Sequence, residues 1–252
     1  MSEPIALLSP DWPAPARVKA VVTERSTGAS APPYAHANLA LHVGDDEQQV
    51  LQNRQQLLHQ LDLPQVQWLE QVHGTEVVIA QPDNLTRTAD ACITQQAGLA
   101  CAVLTADCVP VLLCNAAGTQ VAAVHAGWRG LSAGILANAV AMFDAAPDQL
   151  MAWIGPAIGP TAFEVGVDVL EACFDLATDA DSTEHIAACF TPGARPLKFY
   201  ADLFALTRIA LTSLGIAQVY GGTHCTATEN HRFYSYRKEG TTGRFASLIW
   251  LS

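Results

Sequence analysis

The sequence predicts an α/β fold, because short apolar runs typical of buried strands alternate with longer segments whose apolar residues recur at helical spacing. Residues 121–124 form one such run, which leads through two glycines into a helical pattern over residues 128–143. Of the 252 residues, 50% are hydrophobic and 15% are charged. A chain of this length and composition can bury the core of one large domain or of two small ones.

The first quarter of the chain predicts a strand, a loop and a helix. Residues 18–23 have the pattern of a strand, and residues 26–34 have the composition of a loop. Asp45 is the predicted N-cap of a helix over residues 46–61, whose first turn is rich in acidic side chains. The Leu-Pro pair at residues 63–64 ends this helix.

Five strands are predicted in the middle of the chain, and polar side chains separate the last two. Asp107 and Cys108 lie between this pair of core strands, so both side chains need partners. Together with Pro110, this interruption excludes a membrane-spanning helix of about 20 residues. The predicted strands are residues 66–69, 76–79, 89–94, 99–106 and 109–114.

Helices and strands continue to alternate in the second half. A wide apolar stripe predicts a helix over residues 200–214, and alternating glycines and prolines predict a rigid turn over residues 155–160. Residues 175–198 lack clear periodicity apart from one helical turn at 183–189. The remaining predictions are a strand at 151–154, a short helix at 166–174, a strand beginning at Val219 and a strand at 245–251.

The charge and the cysteine content indicate which binding partners and which cellular compartment to expect. The formal net charge is −11 with only 13 Lys and Arg residues, which disfavours binding to nucleic acid or to an anionic membrane surface. The first ten residues lack the basic start and long apolar run of a signal peptide, so we expect a cytoplasmic protein. The 7 cysteines show no short repeated spacing and mostly lie in strand-like runs, which favours reduced thiols over disulfides.

Three residues are candidate metal ligands: His125 where a strand meets a helix, His73 beside a turn glycine, and Cys108. Zinc prefers imidazole and thiolate ligands, and three protein ligands leave the fourth position open, as in catalytic zinc sites. The spacing of the three matches no compact zinc signature, and His125 fits a hydrogen-bonded core histidine equally well. Four histidines in polar segments are also able to reach this cavity: His36, His42, His224 and His231.

The same residues support other classes of function. In a cysteine hydrolase, Cys108 would be a thiolate nucleophile activated by His125, with His73 or Asp107 as the orienting group. Zinc binding and nucleophilic attack are alternatives, because a thiolate bound to zinc is a poor nucleophile. A non-enzymatic binding module is less favoured, because polar residues within core strands cost burial energy unless a site uses them.

Several motifs, in order along the chain, resemble the signature blocks of the YfiH, or laccase-domain, family. The resemblance spans nearly the whole chain, and several long blocks in order are far more specific than one short motif. The motifs are Asn38-Leu-Ala-Leu-His-Val-Gly-Asp-Asp46, Asn53-Arg54, Gln71-Val-His-Gly-Thr75, Thr105-Ala-Asp-Cys108, Val124-His-Ala-Gly-Trp-Arg-Gly130, Ile154-Gly-Pro-Ala-Ile-Gly-Pro160 and Thr242-Gly-Arg244.

The resemblance implies a purine nucleoside phosphorylase that acts on adenosine, inosine and methylthioadenosine and also deaminates adenosine. It implies that His73, Cys108 and His125 are zinc ligands, and that residues 1–252 form a single α/β domain with mixed β-sheets layered between helices, as a monomer or homodimer. The family is also linked to the editing of peptidoglycan precursors, which the hydrolase alternative would act on. Its older label is polyphenol oxidase, but a multicopper oxidase needs more imidazole ligands than 8 histidines provide. We therefore expect zinc, with copper as the alternative ion.

Phosphorolysis requires groups that hold phosphate beside the ribose while positive charge develops on the sugar. Arg129 and Arg54 are the candidates, because a guanidinium fork matches phosphate oxygens, although Arg54 fits a solvated helix charge equally well. Asn38 is expected to contact substrate on the resemblance alone. Asp107 is the nearest carboxylate that could move protons in deamination, but in an extended strand it would face away from the cavity of Cys108, which favours a structural role.

Overall fold

The computed structural model describes residues 3–252 and shows a mixed α/β domain. Two large β-sheets lie face to face, and helices cover the outer face of each. The strands are β1 (Leu7–Leu8), β2 (Val18–Thr23), β3 (Gln65–Gln67), β4 (Leu69–Glu70), β5 (Val77–Ile79), β6 (Arg87–Thr88), β7 (Ala91–Thr94), β8 (Leu99–Thr105), β9 (Val109–Asn115), β10 (Val121–Ala126), β11 (Leu150–Ile154), β12 (Glu164–Gly166), β13 (Phe190–Pro192), β14 (Lys198–Ala201), β15 (Gln218–Gly221) and β16 (Phe245–Leu251).

The helices are short, with one exception near the beginning of the chain. None of the helices within residues 3–252 is long and apolar enough to cross a membrane. The α-helices are α1 (Glu47–Leu61), α2 (Trp128–Ser132), α3 (Ile135–Ala141), α4 (Val167–Cys173), α5 (Ala180–Ala188), α6 (Leu203–Ser213) and α7 (Tyr236–Glu239), with single 3-10 turns at Pro147–Gln149 and Phe174–Leu176.

Both large sheets are mixed, which confirms the predicted fold class. The first has five strands in the order β1-β2-β16-β8-β3, and the second has six in the order β15-β11-β9-β10-β7-β5. Pairing is antiparallel except for the parallel pairs β3–β8, β11–β15 and β5–β7. Two smaller sheets, β12-β14-β13 and β4-β6, lie outside these layers.

Three buried clusters fill the space between the layers. Val103 and Leu112 belong to the cluster between the two sheets, which we call the inter-sheet core. Leu57 of α1 and Leu104 of β8 belong to the cluster on the outer face of the five-stranded sheet. Leu136 of α3 belongs to the largest cluster, where α2, α3, α4 and α6 cover the six-stranded sheet.

Strand β10 is buried on both faces, as its small apolar residues predict. Val124 and Ala126 belong to the helix-covered cluster, whereas Val121 and Ala123 belong to the inter-sheet core. Because successive side chains of a strand point to opposite faces, His125 shares the face of Val121 and Ala123. The fold therefore places this imidazole at the end of the inter-sheet core.

The two core strands predicted on either side of Asp107 are both present, and they lie in different sheets. Strand β8 pairs with β16 and β3, and β9 pairs with β10 and β11. The intervening residues cross from one sheet to the other, and Asp107 has a φ of 98° there. The segment is therefore not extended, and the alternation expected for Asp107 and Cys108 does not apply.

Two helix predictions differ from the structure at their ends. The helix predicted over residues 128–143 is divided into α2 and α3 at Gly134. The φ of Gly134 is 94°, a left-handed conformation that glycine adopts without steric cost. The helix predicted over 200–214 begins later, after Asp202, whose side chain accepts the N–H of Ala205. The preceding Tyr200 pairs with Glu164 in the three-stranded sheet instead.

Caps explain two further differences. Asp46 caps α1 by accepting the N–H of Gln49, whereas Asp45, the predicted cap, accepts the N–H of Asp46. Helix α5 is longer than the single turn predicted at 183–189, because Asp179 and Ser182 form a reciprocal capping box that starts it earlier. Local side-chain hydrogen bonds thus decide where these helices begin.

Candidate metal centre and its cavity

Three potential ligand atoms from distant parts of the chain meet at one point. The donor atoms of His73, Cys108 and His125 all lie within 4.8 Å of one another, and Sγ of Cys108 lies 3.8 Å from Nε2 of His73. His73 comes from the loop after β4, Cys108 from the crossing between the sheets, and His125 from the end of β10. The structure therefore brings together the three residues that were predicted as metal ligands.

A buried carboxylate, Asp90, orients two of these residues. Its Oδ1 accepts a hydrogen bond from Nδ1 of His125 at 2.8 Å and from the N–H of His73 at 2.9 Å. Its Oδ2 accepts the N–H groups of Val72 at 3.2 Å and Gly74 at 2.7 Å. Because Nδ1 of His125 is bound to Asp90, Nε2 is left free for a metal ion, and this arrangement of carboxylate, imidazole and metal recurs in metalloproteins.

Sequence reasoning missed Asp90. Its signal was a carboxylate at the start of a predicted buried strand, and in the structure it is 0% exposed. A buried aspartate needs donors, and four of them are supplied by Val72, His73, Gly74 and His125. That requirement could have linked Asp90 to a site, but not to these particular partners.

The loop that carries His73 is fixed to the five-stranded sheet by Gln71. The side-chain amide of Gln71 donates to the carbonyl of Leu104, and its oxygen accepts the N–H of Leu104, both at distances under 3 Å (2.9 and 2.8 Å). His73 itself has a φ of 59°, a left-handed conformation uncommon for a residue with a side chain. The hydrogen bonds of Gln71 and Asp90 on either side hold this conformation in place.

Asp107 anchors the crossing that presents Cys108. One of its carboxylate oxygens accepts the hydroxyl of Thr226 at 2.6 Å and the other accepts the N–H of Arg237 at 2.6 Å. Its main-chain carbonyl accepts the N–H of Ile158 at 2.9 Å. Asp107 therefore lines the cavity, although strand alternation predicted that it would face away from it. Both of its carboxylate oxygens accept hydrogen bonds from other residues, which fits a structural role.

The buried imidazole of His125 and the half-buried thiol of Cys108 shift each other's protonation. Burial alone would raise the pKa of the Cys108 thiol, but the neighbouring His125 and His73 lower the pKa to about 6. Burial alone would lower the pKa of His125, but Cys108 and Asp90 raise the pKa to about 9. The metal-free pair is thus held as thiolate and imidazolium, and a metal ion would replace the imidazolium proton at Nε2.

The donor set and the space around it fit a metal ion. Two imidazole nitrogens and a thiolate suit zinc, and they suit copper as well, since His₂Cys sets also occur in copper sites. Gly127 packs directly against two of the ligands, since a Cβ at this position would lie 3.0 Å from Cδ2 of His73 and 3.1 Å from Sγ of Cys108. The absence of a side chain there keeps the two ligands in position.

The cluster opens onto a cavity of about 520 Å³. Its walls combine aromatic rings, basic side chains and the ends of β8 and β10. This is a size and composition suited to a small organic ligand with a charged group. The lining residues are His42, Gln71, His73, Leu104, Thr105, Ala106, Asp107, Cys108, His125, Trp128, Arg129, Ile158, Phe163, Tyr236, Arg237 and Arg244.

The arginines of this cavity have no carboxylate partners. Arg129, Arg237 and Arg244 form no ion pair with any residue in 3–252, whereas four arginines elsewhere do. Their charge is therefore available to an anionic ligand, in a chain whose net charge is −11. Each guanidinium lies over an aromatic ring: Arg129 over Trp128 at 4.3 Å, Arg237 over Phe163 at 5.0 Å and Arg244 over Tyr236 at 5.7 Å.

The other residues predicted to bind substrate lie at different depths. Arg129 is exposed at the cavity wall. Arg54 lies outside the lining; its Nε donates to the carbonyl of Leu39, and its guanidinium stacks on Trp68 at 4.1 Å. Arg54 is therefore held in place rather than being a solvated helix charge.

Asn38 does not line the cavity. It is 0% exposed, its amide nitrogen donates to Ala40 and Asp45, and its amide oxygen accepts the N–H groups of Ala40 and Arg244. All of its hydrogen-bonding positions are used by the chain, so contact with a substrate would break one of these bonds. Asn38 positions the main chain of Arg244, and its contact with substrate stays a prediction.

Of the four additional histidines, only His42 is among the residues lining this cavity. His36 lines a separate surface depression with Ser26 and Gln52. His224 donates to Glu229 at 3.0 Å. The C-terminal side chains Tyr236, Arg237 and Arg244 also reach the cavity, and the sequence offered only the Thr242-Gly-Arg244 motif as a signal for them.

Comparison with known proteins yields consistent matches along nearly the whole chain. The family model described as "Multi-copper polyphenol oxidoreductase laccase" matches residues 19–252. A purine nucleoside phosphorylase of Pseudomonas aeruginosa is 49% identical over 246 residues, which cover 98% of each chain. The purine nucleoside phosphorylase YfiH of Escherichia coli is 47% identical over 247 residues, covering 97% of this chain and 98% of that protein.

Solved structures match the fold equally well. A Neisseria meningitidis protein superposes with a TM-score of 0.91 at 48% identity, covering 98% of this chain and 99% of that chain. YlmD from Geobacillus stearothermophilus superposes with a TM-score of 0.90 at 29% identity, covering 100% of this chain and 98% of that chain.

Proposed function

Since this chain belongs to the YfiH, or laccase-domain, family, we propose that it is a zinc-dependent purine nucleoside phosphorylase that also deaminates adenosine. One observation carries the proposal: three metal donors and three arginines without carboxylate partners open onto the same cavity. The relatives named purine nucleoside phosphorylase support an enzyme over a non-enzymatic binding module. Adenosine, inosine and methylthioadenosine are the proposed nucleosides, with residues 1–252 acting as one domain.

His73, Cys108 and His125 would hold the zinc ion, with Asp90 fixing the orientation of His125. When bound there, zinc supplies Lewis-acid chemistry with a fourth coordination position open. Copper fits the same donors, but these three are the one group of three or more potential ligands found within residues 3–252. A multicopper oxidase requires several such groups, which supports zinc and argues against laccase chemistry.

The basic side chains of the cavity serve phosphorolysis. A phosphate oxygen forms a bond to C1′ of the ribose while the bond from C1′ to the purine nitrogen breaks, and the electron pair leaves with the base, which takes up a proton. The products are the free purine and ribose 1-phosphate. Guanidinium groups hold the phosphate, and fixed groups beside the sugar stabilise the transition state. Arg129, Arg237 and Arg244 at the wall and Arg54, which is bound to the carbonyl of Leu39 outside the lining, are the available cations.

Asp107 acts by position in this scheme. Both of its carboxylate oxygens are occupied, by Thr226 and by the N–H of Arg237, so it fixes the crossing that carries Cys108 and the turn that carries Tyr236. In deamination, water replaces the amino group of adenosine and ammonia leaves. We propose that Asp107 orients the groups around that reaction rather than moving its protons.

A cysteine hydrolase is the second candidate. The observation in its favour is the lowered pKa of Cys108, about 6, which gives a thiolate near neutral pH beside His73 and His125. This chemistry requires the thiol to be free of metal. Stoichiometric metal bound to Cys108 therefore separates the two candidates.

The proposal is tested by incubating the metal-replete protein with adenosine or inosine, with and without orthophosphate. We expect purine base to be released only when phosphate is present, and inosine to be formed from adenosine independently of phosphate. Release of base that does not respond to phosphate would contradict the phosphorylase.

A further inference from the structure

The cavity is flanked by two chemically different sides, which belong to different layers of the fold; Arg54, on the first side, lies outside the residues that line the cavity. Leu39, which accepts the hydrogen bond of Arg54, and Trp68, on which Arg54 stacks, belong to the cluster outside the five-stranded sheet. Ile158 and Phe163 belong to the helix-covered cluster outside the six-stranded sheet. His73, Cys108 and His125 lie between these two sides.

The first side is a group of positive charges fixed by the main chain. Nε of Arg54 donates to the carbonyl of Leu39, and Nη1 of Arg244 donates to the carbonyls of Thr242 and Gly243. Within residues 3–252, the remaining guanidinium nitrogens of Arg54 and Arg244 donate no hydrogen bond. Both side chains are half-buried, so these free donors are held ready for an acceptor without losing much rotamer freedom.

Leu39 joins the two arginines, because its carbonyl accepts Nε of Arg54 at 2.9 Å and its N–H donates to the carbonyl of Arg244 at 3.2 Å. His42 lines the cavity together with Arg244, and after burial the charges of Arg244 and Arg54 lower the pKa of its ring. Arg54 and Arg244 are half-buried and His42 is exposed, and none of the three forms an ion pair with a carboxylate within residues 3–252. An anion between them would offset the repulsion of their charges. Glu70, the one acidic group that raises the pKa of His42, has a smaller effect than either arginine.

The second side is built from apolar and aromatic side chains, and the guanidinium groups of Arg129 and Arg237 lie over two of its rings. Ile158 is 1% exposed and Phe163 is 8% exposed, so both are fixed in the core with only an edge at the cavity. Trp128, the first residue of α2, lines the same cavity. Flat heteroaromatic rings are recognised by apolar and aromatic surfaces of this kind.

We propose that orthophosphate binds between Arg54, His42 and Arg244, and that the purine lies against Trp128, Ile158 and Phe163, with the ribose between them beside the metal cluster. This assignment rests on the proposed phosphorylase activity and specifies the orientation of its two substrates. Arg129, an exposed residue whose side chain is held only by stacking on Trp128, is then at the purine side of the cavity and not part of the phosphate site.

Steady-state kinetics with both substrates varied would test the orientation. Arg244→Lys and Arg54→Lys keep the charge but lose the fork, so each should raise the KM for phosphate by roughly tenfold or more, the loss of one charge-assisted hydrogen bond. The KM for the nucleoside should change by less than about twofold, because neither arginine contacts the nucleoside in this orientation. Phe163→Leu and Ile158→Val should instead raise the KM for the nucleoside and leave the KM for phosphate nearly unchanged.

Arg17→Lys is the matched control, because Arg17 contacts only the C-terminal Ser252 and lies outside the cavity. Arg129→Lys provides the discriminating comparison. A larger rise in the phosphate KM for Arg129→Lys than for Arg244→Lys would overturn the assignment, as would a rise in the nucleoside KM for Arg244→Lys and Arg54→Lys.

Direct binding distinguishes failure of this orientation from failure of the proposed activity. Calorimetric titration of the metal-replete protein with orthophosphate needs no turnover. If the wild-type protein and Arg17→Lys bind orthophosphate and Arg244→Lys and Arg54→Lys bind it at least about tenfold more weakly, the site stands whether or not purine is released. Equal binding by all four proteins would overturn the site even if phosphorolysis is observed.

Discussion

Oδ1 of Asp90 lies 2.8 Å from Nδ1 of His125, and the same carboxylate accepts three N–H groups of the loop that carries His73. One buried side chain thus sets the geometry of two of the three metal donors, although it is not a donor itself. The geometry of the centre therefore depends on this carboxylate as well as on the three donor residues.

Asp90→Asn tests that dependence. The amide keeps the shape but has one acceptor oxygen for four donors, so His125 and the His73 loop lose part of their restraint. We expect the affinity for zinc to fall by about 10–100-fold, as is typical when such an outer ligand is changed. Competition against a zinc chelator measures this affinity, with Asp83→Asn, a surface residue paired with Arg87, as the control. Equal affinities for Asp90→Asn and the wild-type protein would contradict the role of Asp90.

Metal content is the second prediction. We expect close to one zinc per chain, and His73→Ala, Cys108→Ala and His125→Ala should each remove most of it, because two remaining ligands bind zinc weakly. Elemental analysis of the purified proteins gives the result. His224→Ala is the matched control, because His224 contacts Glu229 instead of the cluster. Full metal in all three variants, or copper in place of zinc, would contradict this assignment.

Gly127 tests the packing around the ligands. In Gly127→Ala the new methyl group would lie 3.0 Å from the His73 ring and 3.1 Å from Sγ of Cys108, so one of the two must move. The backbone at Gly127 has a φ of −64°, which alanine adopts without strain. We therefore expect weaker zinc binding, by less than in Asp90→Asn, with little change in thermal stability. If Gly127→Ala loses thermal stability but keeps its zinc affinity, the new methyl group does not displace His73 or Cys108, and the prediction is wrong.

Alkylation of Cys108 separates the metal centre from the hydrolase. In the zinc-bound protein the sulfur is coordinated and should react slowly, and a chelator should expose it. In the metal-free protein the pKa of Cys108 is about 6, so its labelling rate should be high at pH 7 and fall as the pH drops through 6. Cys114 serves as an internal control, since burial raises its pKa to about 12.

The labelled peptide must be identified by mass, because six other thiols are present. Rapid labelling of Cys108 in metal-replete protein, with activity lost in step, would overturn the metal assignment in favour of the nucleophile.

Regular elements were the most predictable part of the fold. The bounds of β2 and β16 agree with the prediction, because both are runs of mostly apolar residues. Helix ends were less predictable, since Asp179 and Asp202 start helices through single side-chain hydrogen bonds. The separation of β8 from β9 could not be predicted, because consecutive apolar strands look the same whether they pair or lie in different sheets.

The candidate site was predictable only in part. His73, Cys108 and His125 belong to long motifs, and the structure brings them together. Asp90 and Arg237 were missed because their roles come from contacts with residues far away in the sequence, such as Arg237 with Asp107. A sequence pattern records which residue types are present but not which distant segments they meet.

The central claim is phosphorolysis at this cavity, and ³¹P NMR of its products tests that claim most directly. Metal-replete protein with inosine and orthophosphate should produce ribose 1-phosphate and hypoxanthine in equal amounts, and Cys108→Ala should produce neither at a comparable rate. Hypoxanthine accompanied by free ribose and unchanged orthophosphate, or inosine left intact by the metal-replete protein, would contradict it.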